Sequence, residues 1–231
     1  MIPPIIYEDE NILIINKPSG LVVHPFDNSK EETLVDWLKT LYPCMFTTIT
    51  DNIFTLQNGD TVALGGIVHK LDRGTSGVMV IAKTKEPFTE LRVWFRVHGV
   101  EKIYVALTEG VVPHTMLRID APLGRNKKDY KQVAYPKNPR GELRDATTDL
   151  TVISRGNSTT FVKLTPKTGR THQLRAHMAH IEHPIVGDIA YGSTIKCERI
   201  LLHAQKISFT LFGKEYSFEA PTPALFIDNL T

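Results

Sequence analysis

Short runs of branched apolar residues, each bounded by turn-forming residues, constrain the fold of this chain more than any other feature. Residues 5–7 and 12–15 are two such runs, separated by the polar stretch Glu8-Asp9-Glu10-Asn11, and residues 78–82 form a third. Runs of this length and composition predict buried or half-buried strands. Further strand candidates lie at residues 100–107, 148–154, 159–165 and 205–219.

A smaller part of the chain has helical spacing. Residues 32–41 place Leu34, Val35, Leu38 and Leu41 on one face and offer Thr33 as a cap, which predicts a short amphipathic helix. Residues 86–97 have the same spacing, residues 169–181 are predicted to pass from strand to helix, and residues 43–66 are predicted to be irregular. Because strands and helices are mixed without regular alternation, we expect an α+β fold around a largely antiparallel sheet.

Bulk composition excludes several classes of protein. With 42% hydrophobic and 23% charged residues among 231, the chain can bury a sizeable core and is predicted to form a single domain over residues 1–231. It has no apolar run long enough to cross a bilayer and no basic region typical of a signal peptide. Its two cysteines, Cys44 and Cys197, are too few for a disulfide scaffold, so we expect a cytoplasmic protein.

The basic residues are unevenly distributed. The formal net charge is only +2, which by itself does not indicate a nucleic-acid-binding protein. One stretch with few acids nevertheless contains Arg118, Arg125, Lys127, Lys128, Lys131, Lys137, Arg140 and Arg144. A basic loop of this kind can follow a phosphate backbone through counterion release. A solvated surface loop is an equally open interpretation.

The first polar motif runs from His69 to Gly77 and leads directly into the strand predicted at residues 78–82. Its glycines permit tight backbone geometry, and its hydroxyl groups can hydrogen-bond the loop onto itself. A carboxylate held in such a loop, here Asp72, can serve as a nucleophile or a general base. On the motif alone, a turn aspartate that bonds local amides is the commoner interpretation.

Two further motifs carry polar side chains that could take part in chemistry. Tyr104 lies in a predicted strand, where its hydroxyl can exchange a proton or its ring can stack on a base, although a core tyrosine is also possible. Arg170 and Arg175 can pair with a carboxylate or a phosphate. The neighbouring histidines, His172, His177, His180 and His183, lack the spacing and the companion ligands of a metal site, so none is predicted.

In this order the motifs resemble the RluA family of pseudouridine synthases, which modify uridines in ribosomal and transfer RNA. Blocks at residues 7–25, 69–77, 102–106 and 168–177 carry most of the resemblance, and shorter matches occur at residues 122–125, 183–188, 191–192, 202–204 and 220–223. The resemblance implies that Asp72 is the catalytic aspartate, Tyr104 the active-site tyrosine and Arg170 the arginine that pairs with the aspartate. The family's mixed, mostly antiparallel sheet around a central cleft agrees with the strands predicted above.

The resemblance also implies a set of RNA contacts, made by His69, Lys70, Arg73, Thr75, Arg125, Lys127, Lys128, His172 and Arg175. One position departs from the family, which usually has arginine where this chain has Lys70. That residue is implied to enter the RNA stack when the target uridine flips out. Lysine keeps the charge but lacks the planar fork of arginine, so we expect RNA affinity or target choice to differ. The separate S4 RNA-binding domain of many relatives is expected to be absent.

The implied reaction breaks the N1–C1′ bond of a uridine, turns the uracil and rejoins it through C5. No electrons are exchanged and no group is imported, so no cofactor and no metal are expected. RNA is the expected partner, no membrane is expected, and the protein is predicted to be a monomer. Two alternatives are a catalytically inactive RNA-binding protein or chaperone of the same fold, and a histidine-based metallohydrolase. The combination of Asp72, Tyr104 and Arg170 argues against a pure binder, which has no chemical need for all three.

Overall fold

The computed structural model describes residues 1–26, 31–126, 131–135 and 139–230. The helices are α1 (Leu34–Leu41), α2 (Pro43–Thr48), α3 (Lys85–Arg96), α4 (Gln173–His180) and α5 (Leu225–Asp228). The strands are β1 (Ile5–Glu8), β2 (Ile12–Lys17), β3 (Ile53–Thr55), β4 (Thr61–Ala63), β5 (Ser76–Ala82), β6 (Glu101–Glu109), β7 (Met116–Asp120), β8 (Leu123–Asn126), β9 (Gln132–Ala134), β10 (Pro139–Arg144), β11 (Thr147–Arg155), β12 (Thr159–Pro166), β13 (Leu202–Leu211) and β14 (Lys214–Glu219).

The chain divides into two compact units. The first consists of Met1–Glu101 and Lys206–Ala220, and the second of Lys102–Gln205 and Pro221–Thr231. Each combines antiparallel strand pairs with a few helices, which confirms the predicted α+β class. The prediction of one catalytic domain without a separate RNA-binding domain stays a prediction.

Three antiparallel strands in the order β1-β2-β5 form the centre of the first unit. Ile12 pairs with Ala82 and Lys17 with Gly77, so the end of β2 lies beside the beginning of β5. Every residue of β5 is buried, and α3 packs against this strand. This is the environment that a continuous run of branched apolar residues requires. The register therefore places the turn after β2 next to the loop before β5.

Helix α1 confirms the predicted amphipathic helix and its cap. Thr33 accepts a hydrogen bond from the backbone of Asp36, whose carboxylate in turn accepts from the backbone of Thr33. This reciprocal capping box satisfies two amide groups that would otherwise have no partner at the helix start. Leu34, Val35 and Leu38 are buried, as the spacing predicts, whereas Leu41, the fourth residue predicted on that face, is exposed at the end of the helix.

The segment 43–66 was wrongly predicted to be irregular. It forms α2 and the antiparallel β3–β4 hairpin, whose loop contains Asn58 and a left-handed Gly59. A helix of six residues is too short to give a clear apolar period, but Asn-Gly between short strands is a hairpin signal. Gly66, at the end of this segment, is required by close packing, because a Cβ there would lie 1.7 Å from the carbonyl oxygen of Ala82.

The first unit also contains a hairpin formed by residues 206–211 of β13 and the whole of β14. Aromatic rings cluster on it. Phe209 and Tyr216 stack at a centroid distance of 5.6 Å, and Tyr7 of β1 lies 5.0 Å from Phe218. Aromatic pairs at these distances add stabilisation to the simple burial of apolar area. They attach this late segment of the chain to the first strand.

The second unit contains an antiparallel sheet in the order β6-β12-β11-β7. Its apolar core includes Ala106, Leu150, Val162 and Leu164 from the sheet, with Leu174 and Met178 from α4. The residues before Gln173 do not form a strand, so the part of residues 169–181 predicted to be extended is a turn. The helical part of that prediction is confirmed by α4.

The basic segment 118–144 is not the loop that the sequence suggested. Its described residues contribute to β7 and to a small sheet in the order β10-β8-β9, in which Arg125 pairs with Arg140 and with Gln132. These strands are short and carry charged residues and glycine, so they lack the alternation that identifies a strand. Lys127, Lys128 and Lys137 lie outside the described residues.

Within the described ranges, none of the helices is both long and apolar enough to span a membrane. Nor do three or more histidine, cysteine or acidic side chains of those ranges come together as a metal site would require.

Candidate active site

The backbone of the Asp72 loop is anchored to the turn that follows β2. Lys17 is completely buried, and its amine donates hydrogen bonds to the carbonyl oxygens of Pro18 at 3.0 Å, Leu21 at 2.9 Å and Arg73 at 3.3 Å. The amide of Gly20 also donates to the Arg73 carbonyl at 2.8 Å, and the Ser19 hydroxyl donates to the Gly74 carbonyl at 2.8 Å. The two residues that follow Asp72 are thus fixed by several bonds.

Asp72 itself is half-buried and directly precedes these two anchored residues. Its carbonyl accepts a hydrogen bond from the amide of Thr75 at 3.1 Å, which closes a tight turn. Thr75 and Ser76 are both buried. The loop therefore presents a carboxylate from a backbone whose turn geometry is fixed, as a reacting group requires.

Lys70, the residue that departs from the family pattern, is exposed and contacts His24. Its amine lies 3.3 Å from Nε2 of that histidine. Since Nδ1 of His24 lies 2.9 Å from the carbonyl of Pro25 and must donate to it, Nε2 is free of a proton and can accept from Lys70. Burial, and to a smaller extent the Lys70 charge, lowers the pKa of His24 below its usual value. The His24 ring packs on Phe54 with centroids 4.4 Å apart.

Two other predicted RNA-binding residues of the motif have partners within the fold. Nε2 of His69 accepts a hydrogen bond from the amide of Val80 at 3.1 Å, and its ring stacks on Phe95 at 4.6 Å. Arg73 forms an exposed ion pair with Glu31 at 3.1 Å. An exposed pair of this kind contributes little to stability, so Arg73 can exchange its partner for a phosphate.

In the second unit, β6 carries the predicted tyrosine. Tyr104 is half-buried, pairs with Leu164 of β12 and packs on the apolar core. Lys102 lies two residues earlier, as expected for side chains on one face of a strand. Burial lowers the pKa of the Lys102 amine, which lies 3.8 Å from the position a Cβ would take on Gly169.

Arg170 lies in the turn before α4 and lines a polar cleft. Its Nε donates to the carbonyl oxygen of Asp145 at 3.0 Å. The cleft has a volume of about 500 Å³ and is lined by Arg125, Arg144, Arg170, Gln132 and Glu142, among others. Three guanidinium groups with one carboxylate give it a positive character that suits a phosphate or carboxylate. The second unit thus brings together Arg125 and Arg170, two residues predicted from sequence.

Arg175 has a different environment from the one predicted. It is buried, forms a bidentate ion pair with Asp188 at 2.7 and 2.9 Å, and stacks on Tyr191 at 4.6 Å. Removal of one partner from such a pair leaves a buried charge and is strongly destabilising. This geometry favours a structural role, and the predicted RNA contact of Arg175 stays a prediction.

His172, which precedes α4 in a left-handed conformation, has Nδ1 2.9 Å from the hydroxyl of Tyr191.

Lys17 is the residue that sequence analysis missed. It was covered only by the block of family resemblance at residues 7–25. The one available signal was its position directly after four apolar residues and Asn16, at the end of a buried strand. Lysine is almost never fully buried unless it is paired.

Comparison with known proteins assigns the family. A family model described as RNA pseudouridylate synthase matches residues 11–180, which is most of the chain. The protein belongs to this family, as the resemblance to RluA-type enzymes predicted, and is an isomerase that acts on RNA. Among its relatives are two bacterial proteins. One, from Zymomonas mobilis, is named ribosomal large subunit pseudouridine synthase D and is 34% identical over 95% of this chain and 69% of its own length.

The second relative, an RNA pseudouridine synthase of Bacillus subtilis described as uncharacterized, is 36% identical over 98% of this chain and 72% of its own length. Solved structures agree with the sequence comparison. Human RNA pseudouridylate synthase domain containing 1 superposes with a TM-score of 0.75 at 25% identity, covering 95% of this chain and 83% of the human chain. Human RNA pseudouridylate synthase domain containing 4 superposes with a TM-score of 0.74 at 26% identity, covering 96% of this chain and 90% of the human chain.

Proposed function

We propose that this protein converts specific uridines of ribosomal RNA to pseudouridine in the cytoplasm, with Asp72 as the catalytic carboxylate. The observation that carries the proposal is the fixed backbone of the Asp72 loop, in which Lys17, Ser19 and Gly20 bond the two residues after the aspartate. The ribosomal substrate is inferred from relatives such as the Zymomonas mobilis protein, which is named for the large ribosomal subunit.

In the proposed reaction Asp72 acts on the ribose. It either attacks C1′ as a nucleophile or removes a proton from C2′, and in both routes the N1–C1′ bond breaks. The freed uracil turns and a bond forms between C5 and C1′. In the first route the Asp72–C1′ bond breaks at this step, and in the second C2′ regains the proton that Asp72 removed. C5 then loses its proton and N1 gains one. The product is therefore an isomer of the substrate, and no other reactant is needed.

The proposal gives Arg170 and Tyr104 supporting roles. The Arg170 guanidinium stabilises the charge of the catalytic carboxylate. Tyr104 stacks on the uracil and accepts the C5 proton, directly or through a water molecule. A half-buried tyrosine on a rigid strand suits both roles, since its ring is held in place for stacking while its hydroxyl can exchange a proton.

RNA contacts are proposed for polar side chains of the Asp72 loop and of the second unit. Lys70 enters the RNA stack in place of the flipped uridine, which offsets part of the cost of about a few kcal/mol for removing a base from its stack. Arg73, Thr75, His69, Arg125 and His172 complete the contacts in the described residues. Lys127 and Lys128, outside those residues, extend the basic segment that follows the phosphate backbone.

The direct test is replacement of the carboxylate by its neutral isostere. Asp72→Asn should abolish pseudouridine formation on unmodified ribosomal RNA, because an amide is neither a nucleophile nor a base at neutral pH. RNA affinity should change by less than about threefold, since a neutral isostere removes no favourable contact with phosphate. Mass spectrometry of the digested RNA measures the first quantity, and filter binding at fixed salt measures the second.

Asp60→Asn is the matched control, because Asp60 is an exposed aspartate in the β3–β4 hairpin of the same unit. It should keep full activity. Pseudouridine formed by the purified Asp72→Asn protein would contradict the catalytic assignment. A wild-type protein that binds RNA but leaves every uridine unchanged would instead support the alternative of an inactive binder or chaperone.

The choice of RNA needs a separate measurement. Pseudouridines should be mapped across total RNA from cells with and without the protein. Loss of one or a few sites in ribosomal RNA is expected. Loss confined to transfer RNA would show that the substrate inferred from the relatives is wrong while leaving the chemistry of Asp72 intact.

A further inference from the structure

A buried network of polar side chains lies beneath Arg170 in the second unit. Its centre is Gln173, the first residue of α4, which is 4% exposed. Oε1 of this side chain accepts hydrogen bonds from the amide of Arg170 at 3.0 Å and from the hydroxyl of Thr168 at 2.7 Å. Nε2 donates to the Thr147 carbonyl at 3.0 Å and to the Thr148 hydroxyl at 3.1 Å. The oxygen of the Gln173 side chain therefore binds the turn that contains Arg170, and its nitrogen binds the start of β11.

The orientation of the Gln173 amide is fixed by a second buried residue. His177 is completely buried, with Nε2 3.0 Å from the Ala121 carbonyl and Nδ1 2.9 Å from the Thr148 hydroxyl. Nε2 must donate to the carbonyl, so in the neutral ring Nδ1 accepts from Thr148. Burial lowers the pKa of His177 and favours the neutral ring. The oxygen of Thr148 is then left to accept from Gln173, and the amide group of Gln173 has one satisfactory orientation.

The same strand start also holds the side chain of Arg170. Its Nε donates to the Asp145 carbonyl, two residues before β11, while Gln173 bonds to Thr147 and Thr148 within that strand. The backbone of Arg170 is held at both ends, since its carbonyl accepts from the Gln173 amide at 3.1 Å. Gln173 therefore ties the backbone of Arg170 to the strand segment that holds its guanidinium.

We propose that Gln173 is a positioning residue for uridine isomerisation, which acts by holding Arg170 in place through the network formed with Thr148 and His177. This rests on the proposed role of Arg170 in the reaction. Buried polar networks of this kind are rigid only when every member is satisfied, so loss of one side chain loosens the rest. A small displacement of a group that stabilises charge in the reaction has a large effect on rate.

The experiment is a double-mutant cycle on kcat, measured with saturating unmodified ribosomal RNA and corrected for the folded fraction of each protein. Gln173→Met keeps the length and volume of the side chain but removes all four of its hydrogen bonds. It should lower kcat by roughly tenfold to a hundredfold with little change in KM. Added to Arg170→Ala, it should produce no further loss, because it acts through a side chain that is already absent. Gln205→Met, which removes a hydrogen bond to Thr222 elsewhere in the unit, is the matched control and should keep kcat within about twofold.

A second pair of variants covers the case in which Gln173→Met does not fold. Thr148→Val removes the hydroxyl that links Gln173 to His177 and should also lower kcat without adding to Arg170→Ala, whereas Thr148→Ser should restore the wild-type rate. Multiplicative losses in the cycle, or a normal kcat per folded molecule in Gln173→Met, would overturn the positioning role. A normal kcat in Arg170→Ala alone would reject the proposed role of Arg170 instead, so the two failures are distinguishable.

Discussion

Lys70 combines a departure from the family pattern with an unusual local partner. The His24 ring holds its amine at 3.3 Å, and the same ring is fixed by Pro25 and Phe54. An arginine could stack its planar group on an RNA base and bond in two directions, whereas a lysine offers a compact charge on a flexible chain. The contact with neutral His24 limits that flexibility without neutralising the charge.

We expect Lys70→Ala to weaken binding of an RNA whose target uridine lies within a duplex by roughly tenfold, equivalent to about 1.4 kcal/mol. Binding of the same sequence presented in a loop should weaken less, because there the base is already unstacked. Titrations of both RNAs at one salt concentration measure the difference.

Lys39→Ala, on the outer face of α1, is the matched control for loss of a surface charge. It should affect both RNAs equally and slightly. An equal loss of affinity for the duplex and the loop RNA in Lys70→Ala would show that the residue contributes only charge and does not fill the stack.

For single residues, the order of the motifs along the chain identified candidate catalytic residues, but the sequence did not predict which partners each side chain has in the fold. Asp72, Tyr104 and Arg170 could be selected because their motifs occur in a recognisable order, although each motif alone favoured an ordinary structural explanation. The burial of Lys17 and the ion pair of Arg175 depend on residues distant in sequence, Arg73 in one case and Asp188 in the other. Composition and spacing carry no information about such partners.

Among the secondary-structure elements, those with strong local signals were predicted well. Helix α1 has both apolar spacing and a capping box, and β5 is a continuous branched run. Besides the segment 43–66, the prediction missed β8, β9 and β10, which are three to six residues long and contain charged side chains. Their strand conformation comes from pairing with each other, and that pairing is a tertiary effect.

The junction between β2 and the Asp72 loop should depend strongly on Lys17. Lys17→Met leaves the Leu21 and Arg73 carbonyls without this donor, at a cost of about 1–3 kcal/mol for each group that stays buried. We expect the free energy of unfolding to fall by about 3 kcal/mol, and kcat to fall beyond what the loss of folded protein explains. Urea unfolding and single-turnover kinetics measure the two effects.

Lys83→Met is the appropriate comparison, because Lys83 is a more exposed lysine of the same unit that pairs with Glu8 at 2.7 Å. A partly exposed pair contributes about 1 kcal/mol or less, and no effect on kcat is expected. If both variants lost the same stability and neither changed kcat, the hydrogen bonds of Lys17 would have no influence on the loop.

For the whole molecule, two histidines should make stability depend on pH near neutrality. Burial lowers the pKa of His177 and of His24 below 6.5 in the folded protein. In the unfolded chain both bind protons at a higher pH, so stability is highest above pH 6.5 and is lost as the pH falls below that value. Each group can contribute up to about 1.4 kcal/mol per pH unit in this range. Near His177, the charge of Asp120 opposes the shift and that of His180 adds to it.

The thermal unfolding midpoint should therefore fall between pH 7.5 and pH 5.5, and the fall should be smaller in His177→Gln, which cannot be protonated. The two proteins are compared by the slope of the unfolding midpoint against pH. A loss of stability that the substitution causes at every pH therefore does not affect the comparison. An unchanged slope in the variant would mean that His177 is protonated to the same degree in the folded and unfolded chains.

Both compact units are discontinuous in sequence, and this has a consequence for how the protein is made. The first unit requires residues 206–220 in addition to residues 1–101, and the second requires the residues from 221 onward in addition to residues 102–205. During synthesis, domains generally fold as units as they emerge. Here the aromatic contacts of Phe209, Tyr216 and Phe218 are still missing when the Asp72 loop leaves the ribosome. A nascent chain stalled before residue 206 contains all three proposed catalytic residues and neither complete unit, so activity should arise only after residues 206–220 and the residues from 221 onward have been synthesised.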